Sequence, residues 1–230
     1  MPAATTILIP GLLCDGYVWG PLIKTLPQNA LVADLSTQDS IMQMASDCLA
    51  LAEGPLRVAG HSMGARVAME MARQAPERIE RLALLDTGIH PLREGETEKR
   101  AQMVQLANES GMEALADRWL PGMVWAENHK DKRLMDELRA MVLSKSPQMH
   151  ERQIKALVER PDASSYLNQI PCKTLLVVGR HDHWSPVAQH QDMLDLLPDA
   201  KLEIIEEAGH FAPVERPVEV SGLLKSFLLA

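Results

Sequence analysis

The sequence predicts an α/β fold: a mostly parallel, six-stranded central sheet covered by helices on both faces, with a helical cap inserted between two of its strands. Three observations predict it. Short aliphatic runs alternate with longer segments of helical spacing, the rhythm of β-α-β units. Most of the runs are apolar throughout, as strands are when helices cover both sheet faces. The chain has 230 residues, 46% of them hydrophobic, enough for one large core or two small ones.

Taken in order, the strand candidates are 5–9, 30–33, 56–59, 82–85, 174–178 and 202–205. Ser40 stands as the N-cap of a helix whose apolar face is Ile41, Met44, Ala45, Cys48, Leu49 and Ala52, with Gly54 placed to stop it. A helical run at 65–74 follows the third strand. Ser185 and Pro186, cap and first helical position, open a helix that buries Val187, Met193, Leu194 and Leu197 and ends before Pro198. The last helix, 217–229, docks Val220, Leu223, Leu224 and Phe227. Between 88 and 168 the strand rhythm stops, and amphipathic stretches at 94–109, 111–119, 130–144 and 147–159 take its place. An insertion of that length between two strands is more often functional than incidental. The chain therefore divides into a core of residues 1–87 and 169–230 and a helical cap of 88–168. The cap carries Met103, Met112, Met123, Met135, Met141 and Met149 of the chain's 13 methionines, material for a soft pocket wall or for the cap's own packing.

Composition narrows the function. With 23 Lys and Arg against 31 Asp and Glu, a formal charge of −8 and 3% aromatics, the chain offers neither a basic stripe nor stacking platforms for nucleic acid. No apolar run approaches the roughly 20 residues of a membrane helix, and the first residues lack the positive start of a signal peptide, so a cytoplasmic protein is expected. Cys14, Cys48 and Cys172 suit neither a disulfide framework nor a zinc site and are read as reduced. No cofactor or metal is expected, and the oligomeric state is open.

The chemistry is carried first by Gly60-His61-Ser62-Met63-Gly64, directly between a strand and a helix. A Gly-x-Ser-x-Gly run in that context presents a serine hydroxyl on a strained turn, where a Cβ at either glycine would collide with strand or helix. The helix N-terminus points its N–H groups at the space where an attacked carbonyl oxygen becomes negative, and the Met63 N–H is the natural first oxyanion donor. Asp182 follows the fifth strand, and His210, in Ala208-Gly209-His210-Phe211, follows the sixth.

Serine, acid and histidine in this chain order, each just past a strand, resemble the α/β-hydrolase superfamily, in its serine carboxylesterase-like form. The resemblance covers nearly the whole chain, including 7–15 followed by Trp19, which looks like the family's first core strand and oxyanion loop. It implies Ser62, Asp182 and His210 as the catalytic residues and the Leu12 N–H as the second oxyanion donor. The family's commoner His-Gly at this loop is Pro10-Gly11 here, Ala65 stands where a further glycine is frequent, and the strands that often precede Thr5 have no room. Asp86, at the end of the fourth strand, occupies the family's alternative position for the acid.

Candidate pocket residues are His61, Trp125, Met103, Met123, Trp184 and Phe211. Each has a packing alternative, and Trp19 is read as packing the first helix. Cys14, two residues past Leu12, is read as a buried small hydrophobe rather than an oxidisable pocket thiol. His181 and His183 flank Asp182 without a third ligand at metal spacing, which favours a solvated or supporting role. A serine nucleophile argues against the epoxide and halide chemistry that this fold performs with a carboxylate. What remains is an ester hydrolase for a small or medium substrate. Lactone, thioester or carbon–carbon bond hydrolysis is the alternative, and a ligand-binding protein on the same fold is the non-enzyme one. The sequence shows no dedicated cluster of arginines for a dicarboxylate substrate, although Arg66, Arg93 or Arg100 could serve.

Overall fold

A computed structural model describes residues 4–27 and 30–230; residues 1–3, on which part of the N-terminal reading rests, lie outside it. Six strands, β1 (Thr5–Ile9), β2 (Ala30–Val32), β3 (Leu56–His61), β4 (Ile79–Leu85), β5 (Lys173–Gly179) and β6 (Ala200–Ile205), form one sheet in the order β2-β1-β3-β4-β5-β6. Every neighbouring pair is parallel. The uniformly apolar strands are explained by two cores, one on each sheet face. Ile7, Ile9, Val58, Leu82, Leu84 and Leu176 point into one, together with α2 (Ile41–Ala50), α3 (Met63–Gln74) and α7 (Val187–Leu196). Leu8, Ala59, Ala83, Leu85, Leu175 and Val177 point into the other, against Trp19, Leu22 of α1 (Gly20–Ile23), and Val220 and Leu224 of α9 (Pro217–Leu228). The period-two alternation of strand side chains thus feeds both cores, and each fully buried Leu or Ile contributes about 1.5–3 kcal/mol.

Between β4 and β5 lie three helices, α4 (Glu96–Trp119), α5 (Lys132–Leu143) and α6 (Pro147–Val158). Asp131 caps α5 by accepting from the Leu134 amide at 3.1 Å, and Ser146 caps α6 by accepting from Met149 at 3.1 Å, with Pro147 in the first turn. Gly111, whose φ of 83° and ψ of 175° leave helical space, breaks α4 into two helical runs, as expected from the stretches at 94–109 and 111–119. A smaller core of Leu13, Ala107, Leu115, Ala116 and Val142 ties this segment to the loop after β1. Two cap expectations shift. Ser40 occupies its N-cap without a side-chain bond, and Pro186 rather than Ser185 is the N-cap of α7, because the Ser185 amide is drawn to Asp182 instead. A short helix, α8 (Ala212–Glu215), follows β6. No helix among the described residues is long and apolar enough to cross a membrane.

Candidate active site

Ser62 sits at the turn from β3 into α3 with φ 55° and ψ −115°, a conformation that costs an L-residue about 1–3 kcal/mol. Its surroundings hold it there. Its amide donates to the Leu85 carbonyl at 2.8 Å, and its carbonyl accepts from Thr87 Oγ1 at 3.0 Å. The glycines on either side are required by space. A Cβ on Gly60 would meet the backbone of Gly64 and Ala65, and one on Gly64 the carbonyls of Ile9 and Pro10.

The loops after β5 and β6 converge on that turn. The His181 amide donates to the Ala208 carbonyl at 2.9 Å, and Gly179 passes so close to the Gly209 carbonyl that a side chain would not fit. The His210 amide is held by the Met123 carbonyl at 2.8 Å. His210 Nε2 then lies 2.8 Å from Ser62 Oγ, and its Nδ1 lies 2.8 Å from Asp182 Oδ2. The other oxygen of Asp182 accepts from the Trp184 and Ser185 amides, both at 2.8 Å. Burial alone pushes this carboxyl up, but the His210 charge, the hydrogen bond from His210 and the two amides hold it below the usual carboxylate range.

Asp86 is placed differently. It is fully buried, its Oδ1 accepts from the Gly179 amide at 2.9 Å, and the imidazole beside it is His61, 3.7 Å away, not His210. Burial and the charge of Asp182 push its carboxyl well above the ordinary range. Of the two candidate acids, only Asp182 reaches His210.

The Met63 amide opens α3 and so has no partner within the helix. The Leu12 amide, in the turn closed by the Cys14 amide on the Gly11 carbonyl at 3.1 Å, has no partner among the described residues. The next residue, Leu13, takes φ 59°, and its amide donates to Gln153 Oε1 of α6 at 2.9 Å, so the helical segment fixes this loop. Cys14 is buried, and burial pushes its thiol up to about 12.

The six pocket candidates separate. His61 is buried: its Nε2 donates to the His210 carbonyl at 2.7 Å, its ring stacks on Phe211, and burial lowers its pKa to about 3, so it is neutral. Phe211 is core, edge-on to Trp119. Met123 is buried and acts through its carbonyl on His210. The Trp125 ring stacks on His181 at 4.7 Å, an arrangement that occupies both. Among the described residues no group of three His, Cys, Asp or Glu side chains is placed to hold a metal ion. Met103 lies half-buried against the small core around Leu13. Trp184, 54% exposed, lies under the Arg100 guanidinium. His61 and Phe211 are both buried, ring against ring.

Sequence reasoning passed over Glu215. This buried carboxylate accepts from the amides on both sides of His210, Gly209 at 2.9 Å and Phe211 at 3.1 Å, and from the Trp125 amide at 3.0 Å and Asn128 Nδ2 at 2.8 Å. It therefore fastens the His210 loop to the helical segment. The available signal was an acidic residue five positions after His210 in an otherwise apolar stretch.

Comparison with known proteins agrees with this architecture. The chain is 27% identical to a protein of Pseudomonas syringae pv. syringae (strain B728a) named "Putative carbamate hydrolase RutD", over 98% of this chain and 94% of that one. It is 25% identical to the pimeloyl-[acyl-carrier protein] methyl ester esterase of Nitrosomonas europaea, over 89% and 87% of the two chains. In structure it superposes on a thermophilic esterase from Thermogutta terrifontis with a TM-score of 0.90 at 24% identity, covering 98% of this chain and 89% of that one. The family model for the alpha/beta hydrolase family matches residues 6–223, and the chain belongs to that family.

Proposed function

We propose that the protein is a serine hydrolase that cleaves a carboxylic ester of a small or medium substrate through an acyl-enzyme on Ser62. The observation that carries this is the unbroken hydrogen-bonded chain from Ser62 Oγ through His210 to Asp182, with 2.8 Å at each link. In this reading His210 Nε2 takes the Ser62 proton as Oγ attacks the carbonyl and returns it to the leaving alkoxide. Asp182 orients the ring and stabilises its charged form. The Leu12 and Met63 amides hold the tetrahedral oxyanion, each worth on the order of 3 kcal/mol in the transition state. Water then repeats the sequence on the acyl-enzyme. Residues 88–168 act as a cap over the site, with α4 presenting Met103 beside the oxyanion loop.

The relative named as a methyl ester esterase supports the ester bond, and the relative named as a putative carbamate hydrolase makes a carbamate the first alternative. The test is hydrolysis of p-nitrophenyl esters, from acetate to long acyl chains, by the wild type and Ser62→Ala. The expected result is cleavage of short or medium chains by the wild type, with a loss of 10³-fold or more in the variant, the scale on which such nucleophiles contribute. Equal activity in both proteins would overturn the reading. If the wild type is inactive on every ester, carbamates, lactones, thioesters and carbon–carbon substrates follow in the same comparison.

A further inference from the structure

One turn beyond Ser62 in α3, Arg66 carries a guanidinium with no hydrogen bond to any described residue, and its Nη1 is sealed from solvent. An unpaired buried cation is costly, and native folds rarely keep one without a use. Two of the charged groups around it, Arg160 and Glu96, are committed to each other and to their neighbours. Arg160 spends its N–H groups on the carbonyls of His90, Pro91 and Leu157 and on both oxygens of Glu96. Glu96 is filled by Arg160, by Arg100 Nε at 2.8 Å and by the Arg93 amide at 3.1 Å. Arg100 gives Glu96 only its Nε, so its two terminal nitrogens remain available.

The cluster is therefore positive, with one carboxylate among three arginines. Other groups register that field: His150, in α6, has a buried Nδ1 without a partner and is lowered to about 4 by burial and by Arg100, and His90 is lowered by burial, Arg93 and neighbouring arginines. Burial, then Arg160 and Arg100, depresses Arg66 to about 9, which still leaves it charged at neutral pH. The chain ties the cluster to the reacting groups: Arg66 stands four residues after Ser62 in α3, and the Arg100 guanidinium lies 5.9 Å from the centre of the Trp184 ring, whose amide holds Asp182.

We propose that Arg66 and Arg100 form an anion subsite that takes a carboxylate carried by the substrate remote from its scissile carbonyl. On this assignment, which rests on the Ser62 reading above, the substrates are half-esters of dicarboxylic acids or acyl compounds of equivalent charge. A planar carboxylate matches the pair of terminal nitrogens of Arg100 and the Nε–Nη2 edge of Arg66, whose Nη1 is closed off. Glu96 and Arg160 hold Arg100 in place and prevent the cluster from relaxing. The chain's net charge of −8 makes this local reversal of sign selective, since it attracts an anion only once the anion is within the site.

The test compares monoethyl succinate, glutarate and adipate with ethyl butyrate and ethyl pentanoate, following proton release at pH 7.5. The wild type is expected to prefer at least one half-ester over its neutral counterpart by 10- to 100-fold in kcat/KM, the range of one to two charged hydrogen bonds. Arg66→Gln and Arg100→Gln should bring that ratio towards one, chiefly through KM, Arg66→Lys should retain part of it, and 0.5 M NaCl should weaken it. A wild-type ratio of one or less for all three half-esters, or an unchanged ratio in both glutamine variants, overturns the subsite. Titration of the wild type with glutarate, inorganic phosphate and neutral glutaramide gives a second reading independent of turnover and of the variants' folding. Glutarate binding with at least tenfold preference over glutaramide and phosphate supports the carboxylate assignment, and no preference refutes it. If no ester is cleaved yet glutarate binds, the ester reading fails and the subsite stands.

Discussion

Replacing Glu215 with leucine removes four hydrogen bonds at once from the loop that carries His210, and the cost can be worked from the contacts. The Gly209 and Phe211 amides are buried, so losing their acceptor leaves two unsatisfied donors at about 1–3 kcal/mol each. The Trp125 amide and Asn128 are only partly buried and can recruit water, at about 0.5–1 kcal/mol each. Leucine returns about 1–2 kcal/mol through its own burial. The net loss is about 1–7 kcal/mol, centred near 4, a large share of the 5–15 kcal/mol typical of a folded domain. Glu215→Gln keeps an acceptor but turns its NH2 towards two of the donors, and about half the loss is expected. Urea unfolding followed by far-UV circular dichroism reads both, and ester hydrolysis should fall with them because Gly209 and Phe211 flank His210. A Glu215→Leu variant within 1 kcal/mol of wild type, with the same dependence on urea, would refute the reasoning.

Two further predictions follow from the same structure. His61, His150 and His190 are held neutral by burial, with folded pKa values lowered to about 3, 4 and 4 from 6.5. The unfolded chain therefore binds more protons than the native one below about pH 6.5, and stability must fall as the pH drops from there towards 4, by at most about 3 kcal/mol per histidine. Urea midpoints between pH 7.5 and 4.5 test this, and a flat profile would contradict it. Asp182→Asn should reduce kcat/KM on the order of 10⁴-fold by destroying the orientation of His210, whereas Asp86→Asn, which touches Gly179 and not His210, should cost far less. The reverse ranking would make Asp86 the acid.

What could be read from the sequence was whatever a local run of residues decides. All six strands appear where aliphatic runs stand, and Gly60 to Gly64 form the turn that their spacing requires, because both depend on neighbours in the chain. The order of Ser62, Asp182 and His210 was legible for the same reason: each follows a strand, and parallel strands bring their ends to one edge. Side-chain direction was not legible. Phe211, a pocket candidate by sequence, is buried with its ring stacked on His61, and its direction follows from the Glu215 carboxylate and the Met123 carbonyl that hold the loop after β6, contacts that no local pattern shows. Arg66 and Arg100 are visible in the sequence as single cations, but their clustering is not. Arg66, Arg100 and Arg160 come from three helices or their ends, and the packing of α4 against α6 brings Arg100 and Arg160 onto Glu96. Gly111 separates the two runs of α4 where the sequence places a boundary, because a glycine accepts the φ of 83° that ends the first run.

The central claim is that Ser62 is a poised nucleophile, and its most direct measurement is covalent labelling by a fluorophosphonate, with the modified peptide identified by mass spectrometry. The account predicts stoichiometric, rapid labelling of Ser62 in the wild type, labelling slowed by several orders of magnitude in His210→Ala, and none in Ser62→Ala. An unlabelled wild type, or equal labelling of Ser62 in the wild type and His210→Ala, would contradict it.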